Sequence, residues 1–191
     1  MPRLVRSFIA SAFLLVFVCG TALSQEAPKP SPQPAANEAR IDEQRAALAK
    51  LKDMIGHWEG GGWISIGPGK RSEFTQTESV QSKLDGTLLT IEGEGRDKNE
   101  PGKIVHSAFA VVTYDPSTKQ YRYRAFSGGR SLDLVAEVGD HGWRWGFDMP
   151  YGKIRYTLDF SGGKWHEFGE MSRDNGQSWN QNFEMTLTRK R

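Results

Sequence analysis

The chain has 191 residues, of which 37% are hydrophobic and 25% are charged. Its 25 basic residues nearly balance its 23 acidic ones, so charge gives no reason to expect nucleic acid or anionic lipid as a long-range partner. Cys19 is the one cysteine, which excludes an internal disulfide, and the fold must therefore be held by its sheet and core.

The first 24 residues have the layout of a secretory signal peptide. Arg3 and Arg6 precede an apolar run over residues 8–19, and the small residues Ala22 and Ser24 precede a cleavage point. The run is too short to span a bilayer as a lasting helix. We expect cleavage after Ser24, a periplasmic or secreted protein, and no stable membrane insertion afterwards. Lipidation of Cys19 and an uncleaved anchor are the alternatives.

Residues 25–37 are predicted to be a disordered linker, because prolines alternate with polar residues between Pro28 and Pro34. The remaining residues, 38–191, are predicted to form one folded domain. It opens with a helix from about residue 37 to residue 55, in which Leu48, Leu51 and Ile55 share one face. That apolar face needs a surface to cover, so we expect the helix to cap one end of the following sheet.

Ten short strands follow, separated by turns rich in glycine and proline. Their predicted bounds are 58–66, 73–83, 88–96, 104–114, 120–127, 131–138, 143–148, 153–160, 165–172 and 179–189. Closing such a series of hairpins removes the exposed sheet edges. The sequence therefore predicts an all-β fold, an antiparallel up-and-down barrel of about ten strands with one capping helix.

Several strands place polar side chains in phase with apolar ones, which a dry core does not require. Glu78 alternates with Phe74 and Val80, Glu167 alternates with Trp165 and Met171, and Gln181 alternates with Phe183. We expect the residues that alternate in this way to point inward and to line an internal cavity. The predicted ligand-binding residues are Glu78, Trp145, Tyr156, Glu167 and Met171.

Five short motifs carry a resemblance to a known family. They are Leu51-x4-Gly56-x-Trp58-x-Gly60, residues 84–89 and 111–116, Trp165-x-Glu167, and Phe183-x-Met185-x-Leu187. Over about residues 46–190 the chain resembles a bacterial lipocalin-like (calycin) family of unknown function, related to nitrobindin and to fatty-acid-binding barrels. The resemblance implies a ten-stranded barrel with a small-molecule pocket and implies no established activity.

Residues 172–179 match the Asp-box pattern Ser-x-Asp-x-Gly-x-Ser-Trp. The resemblance to that motif implies that Asp174 folds back on turn amides, that Gly176 lies in the turn and that Trp179 packs against the hairpin. Sialidases carry several copies of this motif, whereas this chain has one and is too short for a propeller. We therefore interpret it as a structural turn between the last two strands.

The four histidines, His57, His106, His141 and His166, have no spacing typical of a zinc site, so no metal site is predicted. Related barrels hold haem through one imidazole, and His166 is the residue that the nitrobindin-like resemblance favours. Trp165 and Glu167 are assigned inward, however, which turns His166 outward. No cofactor is therefore expected, and haem stays the minor alternative.

These features favour an exported barrel that binds a small apolar or amphipathic molecule. A structural or protein-interaction module of the cell envelope is the second interpretation. An enzyme that uses a buried carboxylate as base is the third, and non-enzymatic binding is favoured over it because the chain has no serine elbow, phosphate loop or metal cluster.

Overall fold

The computed structural model describes residues 32–190, so the leader and Cys19 lie outside the described residues. Helix α1 spans Pro32–Leu48 and continues as a 3-10 helix over Ala49–Met54. The strands are β1 Gly56–Gly67, β2 Lys70–Lys83, β3 Leu88–Asp97, β4 Ile104–Asp115, β5 Gln120–Ser127, β6 Arg130–Val138, β7 Gly142–Met149, β8 Gly152–Asp159, β9 Lys164–Ser172 and β10 Asn180–Arg189. Every strand end lies within three residues of its predicted position.

The ten strands form one closed antiparallel barrel in chain order. β1 pairs with β2 on one side and with β10 on the other, where Trp58 lies opposite Arg189 and Ile64 opposite Phe183. The prediction of a ten-stranded up-and-down barrel with one N-terminal helix is confirmed. Closure leaves no terminal strand unpaired, as the edge argument required.

The helix closes one end of the barrel through its last turns. Leu48, Leu51 and Met54 are buried, whereas Ile55, which was predicted to share their face, is 37% exposed. That part of the prediction was wrong because the chain switches to a 3-10 helix at Ala49, and the apolar period becomes three residues. Trp58 donates from Nε1 to the Met54 carbonyl at 2.8 Å, which links this turn to β1.

The helix starts at Pro32, five residues before the predicted start at Asn37, and so includes part of the predicted linker 25–37. Proline is tolerated in the first turn of a helix because the amides there have no partner within the helix. Within residues 32–190, no helix is both long enough and apolar enough to cross a membrane.

The inward-facing side chains are buried at the helix end of the barrel and more exposed to solvent at the other end. At the helix end Trp58, Val112 and Leu187 are at most 1% exposed. At the other end, here called the mouth, the inward-facing His106, Ser127 and Leu132 are exposed, whereas Phe74 and Phe183 stack at 5.8 Å and cover the opposite side. The mouth is therefore more exposed to solvent on its β4–β6 side than on the side of Phe74 and Phe183.

Two irregularities interrupt the ladder. β6 and β7 form only two residue pairs, Glu137 with Arg144 and Val138 with Trp143, and separate toward the mouth. In β10 the register shifts between Gln181 and Phe183, which leaves Gln181 opposite Glu170 and exposed. The expectation that Gln181 points inward with Phe183 was wrong, because the extra residue of a bulge reverses the alternation.

Candidate ligand-binding site

Glu78 points to the inner face of the barrel from β2, between Trp58 of β1 and Gly93 of β3. Its side chain, 9% exposed, is opposite Gly93 of β3 and lies against that glycine so closely that a Cβ there would collide with the carboxyl oxygens. Gln76 donates from Nε2 to Glu78 Oε1 at 2.8 Å. The glycine on the neighbouring strand thus makes the room in which the carboxyl group is held.

Glu167 is the second buried carboxyl group and lies on the inner face of β9. It is 8% exposed, and its Oε2 accepts a hydrogen bond from Trp165 Nε1 at 3.2 Å. Among residues 32–190, neither Glu167 nor Glu78 has a basic group within 4 Å. Two buried carboxyl groups without a counter-ion are unusual in a barrel that needs only a packed core.

Burial keeps both carboxyl groups protonated to an unusually high pH. It raises the pKa of Glu78 to about 7, an effect that the hydrogen bond from Gln76 partly offsets. Burial, followed by repulsion from Glu78, raises the pKa of Glu167 to about 8, and the hydrogen bond from Trp165 partly offsets this rise. Both carboxyl groups are thus poised to ionise close to neutral pH, and the charge of Glu78 opposes the ionisation of Glu167.

An aromatic wall lies beside the carboxyl pair. Trp145 stacks on Tyr156 with ring centroids 4.3 Å apart and on Phe147 at 6.3 Å. Tyr156 lies against Gly169, where a Cβ would approach its ring to 2.8 Å, and burial followed by the charge of Glu167 raises the Tyr156 pKa to about 12. The structure thus brings Glu78, Glu167, Trp145 and Tyr156 into one internal region.

Two further residues of this region were not found from the sequence. The centroid of the Tyr123 ring lies 5.0 Å from those of both Trp143 and Trp145. The pKa of Tyr123 is raised, first by burial and then by the charges of Glu167 and Glu78. Trp143 is 3% exposed, and its Nε1 has no hydrogen-bond partner in the described part of the chain. A buried donor without a partner is the kind of group that a bound polar atom satisfies.

Other predicted residues lie apart from this cluster. Met171 is on the same face of β9 as Glu167, but it lies farther toward the mouth, opposite Ile154. His166 lies on the outer face, where its Nε2 is 3.1 Å from Glu184 Oε1, so its imidazole does not fit a haem held inside the barrel. His106 is the histidine that faces the mouth. No group of three metal-ligating side chains is positioned for a metal ion within residues 32–190.

The turn between β9 and β10 is built around Asp174. Its Oδ1 accepts hydrogen bonds from the Ser178 amide at 2.8 Å and from Ser172 Oγ at 2.7 Å, and its Oδ2 pairs with the Ser178 hydroxyl. Trp179 donates from Nε1 to the Gly176 carbonyl at 3.2 Å. The hydrogen bonds that the Asp174 carboxylate accepts, of which the one from the Ser178 hydroxyl has the largest effect, hold the pKa of Asp174 well below its usual range.

We expect Asp174→Ala to lower the melting temperature and to leave binding by the interior unchanged. The substitution removes the acceptor of the Ser178 amide, and the turn lies outside the cluster of buried carboxyl groups. Thermal melts of the parent, Asp174→Ala and Asp174→Asn measure the effect. Asparagine keeps one acceptor oxygen and should fall between the other two, whereas three identical melts would show that the turn does not depend on this side chain.

These features define a closed ten-stranded antiparallel barrel of the calycin or lipocalin-like type, with two buried carboxyl groups in its interior. No protein-family model matches the chain, and no curated protein matches it either. The fold is similar to that of Rv2717c from M. tuberculosis, with a TM-score of 0.57 and 15% identity over 76% of this chain and 98% of that one. It is also similar to the S-type phycobiliprotein lyase CPES from Guillardia theta, with a TM-score of 0.55 and 8% identity over 76% and 93% of the two chains. At these identities the likeness concerns the fold.

Proposed function

We propose that the barrel binds a small amphipathic molecule in its interior. The observation that carries this proposal is the carboxyl pair Glu78 and Glu167, which is buried beside the Trp145–Tyr156 stack without a basic partner in the described residues. A purely structural core would be more stable with apolar side chains at both positions. The polar interior is best explained by a ligand that supplies the missing partner.

The chemistry of the site indicates which end of the ligand goes where. Two carboxyl groups that ionise near neutral pH favour a protonated amine or another group rich in hydrogen-bond donors. The flat faces of Trp145, Tyr156 and Phe147 suit an apolar or aromatic body. The exposed inward-facing residues of the mouth indicate the side from which such a molecule would enter.

The test is a titration with two environment-sensitive dyes of similar size, one cationic and one neutral. We expect saturable uptake of both by the parent protein. Glu167→Gln should weaken the cationic dye about tenfold and the neutral dye much less, because it removes one ionisable group while keeping the shape. Trp145→Ala should weaken both dyes and lower the melting temperature, because it removes a large ring from the wall.

Glu92→Gln is the matched control, since Glu92 is an exposed carboxylate next to Gly93 on the outer face of β3. It should bind both dyes as the parent does. If the parent takes up neither dye saturably, the carrier function fails, and a structural or interaction module of the envelope becomes the better interpretation. Uptake of haem in the same assay would instead support the haem alternative, through a residue other than His166.

We also propose that the protein acts after export, as its first 24 residues suggest. We expect the mature chain to begin at or near Gln25. N-terminal sequencing of the protein from the envelope fraction measures this. A lipid-modified Cys19 that partitions into the detergent phase would contradict it.

An acid–base enzyme is the second candidate, because buried carboxyl groups whose pKa values are raised toward neutral pH are suited to proton transfer on a bound molecule. One structural neighbour is a phycobiliprotein lyase, so a barrel of this fold also occurs in an enzyme. We propose, from the five short sequence motifs, that the barrel is related to nitrobindin and to fatty-acid-binding barrels. That relation favours binding over catalysis. If the parent converts the bound molecule to a product, and Glu78→Gln and Glu167→Gln each abolish that conversion, the enzyme is the better interpretation.

A further inference from the structure

Exposed apolar side chains gather at the mouth of the barrel on separate hairpins. Ile66, Ile104, Phe126 and Tyr151 are 64%, 51%, 41% and 88% exposed. Tyr151 lies in the β7–β8 turn, and the other three lie on strand residues close to the β1–β2, β3–β4 and β5–β6 connections; all four connections turn at the end opposite the helix. We call these four side chains the rim. Exposed apolar groups gathered at one end of a soluble fold mark a contact surface.

Basic side chains accompany the rim. Lys70 follows the hairpin of Ile66, Lys103 precedes Ile104, and Arg130 follows the turn after Phe126; all three cations are exposed. Within residues 32–190 none of the three has a carboxylate within 4 Å. Most acidic residues of these hairpins are held locally, in the pairs Glu73–Lys98 and Asp148–Lys153 and in the turn where Asp97 accepts two amides. Glu100 is the acidic residue there without such a partner among the described residues.

We propose that the rim docks on the surface of an anionic lipid bilayer. The rim side chains would enter the headgroup region while Lys70, Lys103 and Arg130 lie against lipid phosphates. A bilayer is favoured over a protein partner because four apolar side chains on four separate hairpins at one end of the barrel suit a broad, soft surface, and the unpaired cations beside them suit its phosphates. The near-zero balance of charge over the whole chain does not oppose this, since the contact depends on local cations within a Debye length. The inference does not depend on the proposed ligand.

The test uses the full chain with vesicles of phosphatidylcholine, alone or mixed with phosphatidylglycerol. Sedimentation measures the affinity, and hydrogen exchange identifies the end that docks. We expect binding that needs phosphatidylglycerol and weakens with salt, together with slower exchange in residues 64–71 and 149–153 but not in residues 84–87. The double variant Ile66→Ser and Tyr151→Ser should bind about tenfold more weakly or worse, and Lys103→Glu at least about fivefold more weakly.

Leu84→Ser is the matched control, because Leu84 is 73% exposed at the opposite, helix end of the barrel. It should sediment as the parent does. Three results would each overturn the proposal: a parent chain that does not sediment, a loss with Leu84→Ser as large as that with the rim variant, or sedimentation without slower exchange in the rim hairpins. The last would show that another segment carries the chain to the vesicle.

Discussion

Replacing Glu167 with glutamine is expected to stabilise the barrel above pH 8 and to change little at pH 5. The pKa of Glu167 is raised by burial to about 8 in the folded chain, whereas an unfolded glutamate ionises near its usual value of about 4.3. Between these values the folded state holds a proton that the unfolded state has released, so folding stability falls as pH rises. Glutamine removes this penalty, which is on the order of 5 kcal/mol at pH 9.

Urea unfolding of the parent and the variant at pH 5 and pH 9 measures the difference. At pH 5 the folded carboxyl is protonated and glutamine is close to it in shape, but the unfolded carboxyl is already largely ionised, so the two free energies of unfolding should differ by only about 1 kcal/mol. Glu92→Gln, on the exposed face of β3, serves as the control and should show no such pH dependence. A Glu167→Gln variant that is less stable than the parent at pH 9 would contradict this prediction and would show that the ionised carboxyl makes a favourable interaction in the folded state.

Trp58→Ala is expected to cause the largest loss of stability of any single substitution considered, about 3–5 kcal/mol. Trp58 is 1% exposed, and its ring centroid lies 5.9 Å from that of Trp165 and 6.3 Å from that of Phe160. Its Nε1 also donates to the Met54 carbonyl, so the substitution removes both a large buried surface and the link between helix and barrel. Chemical denaturation measures the loss.

Two companion variants separate these contributions. Trp58→Phe keeps an aromatic ring but loses the donor, so it should lose less, about 1–2 kcal/mol. Trp63→Ala removes a half-buried tryptophan from the opposite face of the same strand and should also lose less than Trp58→Ala. Equal losses for Trp58→Ala and Trp63→Ala would contradict the view that the main core is the interior of the barrel at its helix end.

The barrel itself was predictable because its signals are local. Each strand alternates over a short span, and each turn is marked by residues such as Gly128-Gly129 or Pro150, so the strand ends fell within three residues of their predicted positions. Local signals failed where the backbone departs from a regular period. The 3-10 turn replaced Ile55 with Met54 in the core, and the bulge at Asn182 turned Gln181 outward.

The interior was only partly predictable, because it depends on register between strands. Alternation within one strand places Glu78 and Glu167 inward, but it does not show that Gly93 lies opposite Glu78 and makes room for its carboxyl group. Tyr123 and Trp143 were missed for the same reason, since their roles follow from neighbours on other strands. The pairing between strands assembles this region, and alternation within a single strand does not reveal that pairing.

Native mass spectrometry of the protein purified from its own cellular compartment tests the central claim most directly. If the interior binds an amphipathic molecule, the parent should carry a small additional mass that dissociates on activation and that is reduced or lost in Trp145→Ala. Glu92→Gln should carry the same mass as the parent. A bare chain in the parent and in every variant, with a self-association peak in place of a bound molecule, would contradict the claim and favour an interaction module.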